Sequence, residues 1–123
     1  MTERRSVFLG YASPVTTEEE ALEFIAKIKK RHSDATHNVY AYILRGSISR
    51  FSDDGEPHGT AGLPVLEVLR KEDVTDAVIV VTRYFGGILL GAGGLVRAYS
   101  ASAKLALDAA VVKECKPFVL FGI

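Results

Sequence analysis

The periodicity of apolar and polar positions changes several times along the chain, and each change marks an element. Val7-Phe8-Leu9-Gly10-Tyr11-Ala12 is apolar or small throughout and is closed by Ser13-Pro14, which reads as a strand. Ala21, Leu22, Phe24, Ile25 and Ile28 then recur at helical spacing. Thr17 and Glu20, three residues apart, predict a capping box at the start of that helix. Glu18, Glu19 and Glu20 open it while Lys27, Lys29, Lys30 and Arg31 close it, so both ends suit the helix dipole. This pattern describes a solvated amphipathic helix rather than a basic tail. Val39 to Leu44 and Ser47 to Phe51 read as a hairpin turning at Arg45-Gly46, and Asp53 to Gly59 is turn material. A second helix is predicted from Thr60, as cap, to about Lys71; Pro64 is tolerated in its first turn, where no intrahelical donor is lost. Ala77 to Thr82 is apolar and β-branched, as a strand buried on both faces would be. A last helix is predicted over about Gly94 to Ala110, and a short strand at Phe118 to Phe121. The order βαββαβα predicts an α+β fold, an α/β sandwich with one mixed sheet and helices packed mainly on one face.

Composition narrows the function classes. The 123 residues fit one domain, and 48% of them are hydrophobic, enough for a core. Fifteen basic residues balance fifteen acidic ones, so any phosphate recognition has to come from a local patch. The single cysteine, Cys115, allows no internal disulfide and no cysteine-based zinc site. A free thiol suits a reducing compartment, and the start of the chain lacks a signal-peptide core, so a cytoplasmic location is expected.

Candidate chemistry is concentrated between Asp53 and Ser100. Glycines gather just before or at two predicted helix starts, in Asp53–Gly62 and in Arg83–Ser100. Exposed backbone amides at a helix start favour anions, and Arg83 and Arg97 flank the second stretch. The spacing Gly86-x-x-x-x-Gly91 lacks the Lys-Ser or Lys-Thr of a P-loop, and Gly91-x-Gly93 is not completed as a dinucleotide fingerprint. An equally adequate reading is that the glycines let helices and strands approach closely. Asp53, Asp54, Glu56 and His58 carry groups that bind Mg²⁺ or act as a base, yet the same residue types make ordinary turns and helix starts. Tyr84, Phe85 and Tyr99 are stacking or core aromatics. No nucleophile–base motif stands out.

The segments Asp53-Asp54-Gly55-Glu56-Pro57-x-Gly59-Thr60-Ala61-Gly62 and Arg83-Tyr84-Phe85-Gly86-Gly87-x-x-Leu90-Gly91-x-Gly93-Gly94-Leu95-x-Arg97-Ala98-Tyr99 resemble the signature of the IMPACT/YigZ family. Phe8-x-Gly10-x-Ala12-x-Pro14-Val15 and Ala35-Thr36-His37-Asn38 match as well, so the resemblance covers nearly the whole chain. It implies a sandwich like domain two of ribosomal protein five, shared with elongation-factor domains and GHMP-type kinases. It also implies a link to translation: eukaryotic IMPACT proteins compete for the scaffold that activates an initiation-factor kinase, and for bacterial members nucleic-acid or ribosome binding is suggested by fold. Residues 1–123 are expected to form a single IMPACT-type domain, with the second ferredoxin-like domain of bacterial relatives and the amino-terminal domain of eukaryotic ones absent. Val39 stands where many members carry cysteine, which excludes a thiol role there.

The expectation is therefore a translation-linked regulatory binding protein. Arg83, Arg97 and the amides of Gly86, Gly87, Gly91, Gly93 and Gly94 would hold phosphate groups, with Tyr84 beside them. His37, Asp53, Asp54, Glu56 and Thr60 would line the same surface. RNA, the ribosome or a translation-control protein are the expected partners, without membrane or DNA specificity, and a monomer is expected. No catalytic residue, metal or cofactor is assigned. The alternative is a metal-assisted enzyme acting on a small phosphorylated or peptide substrate at Asp53, Asp54 and Glu56.

Overall fold

A computed structural model describes residues 2–3 and 5–111; Cys115 and the strand predicted at 118–121 lie outside them. Eight elements follow in the order β1 (Thr2–Glu3), β2 (Ser6–Pro14), α1 (Glu18–Arg31), β3 (His37–Leu44), β4 (Ile48–Ser52), α2 (Gly62–Lys71), β5 (Ala77–Tyr84) and α3 (Gly91–Val111). They form an α+β sandwich on a five-stranded sheet of order β1-β2-β5-β3-β4.

Every pairing in that sheet is antiparallel, so the expectation of a mixed sheet is corrected. The crossover through α1 does return β3 in the direction of β2, but the two never touch. Strand β5 occupies the slot between them and runs against both. Its burial on both faces explains the unbroken apolar run. Ile79 and Val81 face α2 and α3, with Phe8, Ala12, Val39, Leu66 and Tyr99. Val78 and Val80 face α1, with Tyr11, Ile25, Ile28 and Tyr42. Two helices thus cover one face and one the other. Truncating fully buried Ile79 to alanine would cost about 2–5 kcal/mol.

Local signals explain the helix ends. The Thr17 hydroxyl accepts the Glu20 amide at 3.1 Å, half of the predicted capping box. The returning half lands one residue early: Glu20 accepts from the Thr16 amide and hydroxyl. Thr60 does not cap α2. Its hydroxyl donates to the Pro57 carbonyl at 2.6 Å, and the cap position falls to Ala61, which has no side-chain acceptor. Asp53 supplies the acceptor from outside the helix, taking the amides of Gly59, Ala61 and Gly62 at 3.1, 3.2 and 2.8 Å. Helix α3 begins at Gly91, three residues before the expected start, because Gly93 and Gly94 take helical conformation in its first turn. Gly10 lets this helix lie close on β2: a methyl there would meet the Ser102 carbonyl oxygen at 2.9 Å and the Ala106 methyl at 3.1 Å.

Candidate functional site

The two glycine-rich stretches meet at one end of the sheet, on the α2/α3 face. His37 and Arg83 are register partners at that end, so their side chains share this face. The turn 53–60 folds over them and lowers Glu56 into the interior, where its side chain is 3% exposed. The Arg83 guanidinium meets Glu56 Oε2 at 2.7 Å and Ser6 Oγ at 3.1 and 3.3 Å. It is held between the rings of Phe8 and Phe85, at 5.6 and 5.3 Å. From α3 the Tyr99 hydroxyl donates to the same Glu56 oxygen, and the Tyr99 ring stands edge-on to Phe8. Burial, then the bond to Glu56, drives the Tyr99 phenol far above its ordinary range, so it stays a donor. His37 Nδ1 donates to the Asp54 carbonyl at 2.7 Å, and its Nε2 lies 3.4 Å from Glu56 Oε1. Asp54 Oδ2 accepts the Asn38 amide at 2.6 Å.

Seen this way, Asp53, Asp54, Glu56, Thr60, His37 and Arg83 come together, but their polar atoms serve one another. The three carboxylates accept backbone amides, a guanidinium and a phenol, which is the work of fastening a loop. Arg83 is 4% exposed, and its guanidinium is spent on anchoring the loop.

The second stretch divides by glycine. Gly86 is a packing residue: a methyl there would overlap the Arg5 carbonyl group. Gly87 and Gly91 have φ of +88° and +77°, conformations that L side chains disfavour. Gly94 abuts Leu90. Gly93 meets neither demand, since its φ is ordinary and the nearest atom to an added methyl is Arg97 Nη1 at 3.5 Å. A glycine that costs a helix about 1 kcal/mol relative to alanine, with nothing in the fold requiring it, leaves a bare backbone at the surface. Arg97 is exposed and folds back over this first turn; among the described residues it has no ion pair. Beside them Phe85, Ile88 and Leu89 are exposed, Leu89 by 81%. Tyr84 alternates to the opposite face and bonds His32 and Asp34.

Sequence reading missed Ser6, Asn38 and Leu89. Ser6 carries no local signal, because its partner Arg83 is 77 residues away. Leu89 had one: Ile88-Leu89-Leu90 sits among glycines where no regular element could bury all three.

Fold and site together define a small α+β domain in which a buried ion-pair network fastens one loop and holds a second, glycine-rich loop at the surface. The Impact N-terminal domain family matches residues 4–107, and the chain belongs to this family. It is similar to "IMPACT family member YvyE" of Bacillus subtilis, 54% identical over 114 residues, which span 91% of this chain and 52% of that protein. The chain thus spans about half the length of this relative. A crystal structure of a hypothetical protein matches with a TM-score of 0.84 at 34% identity, over 98% of this chain and 58% of the other. The two-domain translational regulator Yih1 matches with a TM-score of 0.57 at 27% identity, over 89% and 44%. Among the described residues no helix is long and apolar enough to cross a membrane.

Proposed function

We propose that this domain is a translation-linked regulatory binding module that recognises RNA, in the ribosome or free, through the α3 start and the glycine-rich loop before it. The observation that carries the reading is the division of labour among the signature residues. Glu56, Arg83, Tyr99 and Asp53 spend their polar groups internally, while Gly93 and Arg97 face solvent, with the exposed Leu89 beside them. In this arrangement Arg97 and the first-turn amides of α3 take phosphate oxygens, and Leu89 and Phe85 take an apolar or base surface. Arg83 is a positioning residue. The likeness to a translational regulator supports the setting, and the folding role of the acidic cluster weighs against the metal-assisted enzyme.

The test is binding of a short structured RNA across a salt series, by wild type and by Arg97→Ala and Gly93→Ala. Arg97→Ala is expected to weaken binding and to reduce the salt slope by about one. Gly93→Ala is expected to keep or raise thermal stability while weakening binding. Unchanged affinity in both folded variants would remove the loop from recognition. No binding at low salt would move the proposal to a protein partner, and a Mg²⁺-dependent thermal shift lost in Asp54→Asn would revive the enzyme.

A further inference from the structure

On the opposite face of the same sheet end lies a chain of four polar side chains. Tyr11 comes from β2, His32 caps the C-terminus of α1, Asp34 follows in the loop and Tyr84 ends β5. Tyr11 Oη lies 2.5 Å from His32 Nε2, Tyr84 Oη 2.8 Å from His32 Nδ1, and Tyr84 Oη 2.9 Å from Asp34 Oδ1.

Counting protons fixes every direction in this chain. An ionised carboxylate only accepts, so the single Tyr84 proton goes to Asp34. Tyr84 therefore accepts from His32, and Nδ1 carries the proton. In a neutral imidazole Nε2 is then bare and takes the proton of Tyr11. Tyr11 is 1% exposed, so its hydroxyl has no water to turn to. A second proton on His32 turns Nε2 into a donor: the Tyr11 oxygen accepts it, and the Tyr11 hydroxyl proton then loses its acceptor in the interior.

We propose that Tyr11, His32, Tyr84 and Asp34 form an acid-sensitive latch, closed on the neutral imidazole and released on its protonation, that ties the end of α1 to β2 and β5. Among the described residues, the charged and titratable groups around the ring are these partners and Arg31, whose guanidinium lies 5.8 Å from the Tyr11 ring centre. His37 turns to Glu56 on the other face. Burial, then Arg31, lowers the His32 pKa, and Asp34 opposes them. Release reaches further than the helix end. The His32 carbonyl accepts the Asn38 side chain, whose oxygen accepts from Thr82. Thr36, four residues on, bonds the Arg83 carbonyl and takes the Phe85 amide, the first residue of the glycine-rich loop. The inference holds whatever that loop binds.

Long-range ¹H–¹⁵N NMR of the labelled protein across pH 4.5–8 reads tautomer and midpoint directly. His32 is expected as the Nδ1–H tautomer with a midpoint below the ordinary value of about 6.5. Exchange of the Phe85 amide, corrected for its intrinsic pH dependence, should accelerate through the same midpoint. In Tyr11→Phe no hydroxyl is orphaned, so the midpoint should rise toward the ordinary value. In Tyr84→Phe, which keeps Tyr11, the tautomer should shift toward Nε2–H. An Nε2–H tautomer in the wild type, an ordinary midpoint, or Phe85 exchange indifferent to it would overturn the latch.

Discussion

Replacing Glu56 with glutamine removes one charge from the centre of the network and changes the shape of the side chain hardly at all. In the wild type, Glu56 and Arg83 side chains are 3% and 5% exposed, so the guanidinium left behind has neither counter-ion nor solvent. Breaking a buried pair from one side typically costs about 3–5 kcal/mol. The glutamine oxygen still accepts one bond, from Arg83 or Tyr99, which places the expected loss near the lower bound, about 3 kcal/mol. For a chain of this size that is a fall in Tm of roughly 10 °C. Urea unfolding followed by far-ultraviolet circular dichroism measures it. The companion experiment replaces both partners, Glu56→Leu with Arg83→Met. Two apolar groups leave no orphaned charge, so the double variant should lose much less than the sum of the single losses. A loss below about 1 kcal/mol for Glu56→Gln, or additivity in the cycle, would show that the pair is not the loop's anchor.

Asp53→Ala should cost about 2 kcal/mol, because α2 has no other side-chain cap; hydrogen exchange at Ala61 and Gly62 should rise with it. In alkaline titration followed by tyrosinate absorbance, Tyr42 and Tyr84 should ionise later than an ordinary phenol. Burial, followed by bonds to Glu18 and Asp34, raises each from 10.0 to about 12. A pKa higher in the folded state favours folding below pH 10 and loses that benefit between pH 10 and 12, so stability should fall through that window. Normal titration near pH 10 for both would contradict the bonds.

Fold class was legible because its signals are local. The helical spacing of Ala21 to Ile28, the Thr17 cap and the β-branched run at Ala77 each dictate an element from within a few residues. The sheet's sense was not, because strand direction depends on which strand fills the slot between β2 and β3, and no local pattern encodes that choice. The site was half legible. The signature residues do converge, but chemistry at the level of residue type could not tell a carboxylate that caps a helix 9 residues away, as Asp53 does with Gly62, from one that binds a ligand. The same holds for Arg83, whose fate is decided by Glu56 and Ser6, 27 and 77 residues distant. His32 at the end of α1 lies between two phenols from β2 and β5, 21 and 52 residues distant, which no local pattern signals.

The central position of β5 also bears on how the chain acquires its structure. The middle of the sheet is the last of its five strands to be synthesised. Until residues 77–84 have emerged, β2 and the β3–β4 hairpin have no common neighbour, and each offers an unpaired edge along its length. Closure of distant segments around a late strand is slow compared with local pairing, and half-built sheets are where chains misassemble. A nascent chain stalled before Ala77 should therefore hold helices and a hairpin but no closed sheet, and seating this one strand should be the step that completes the core.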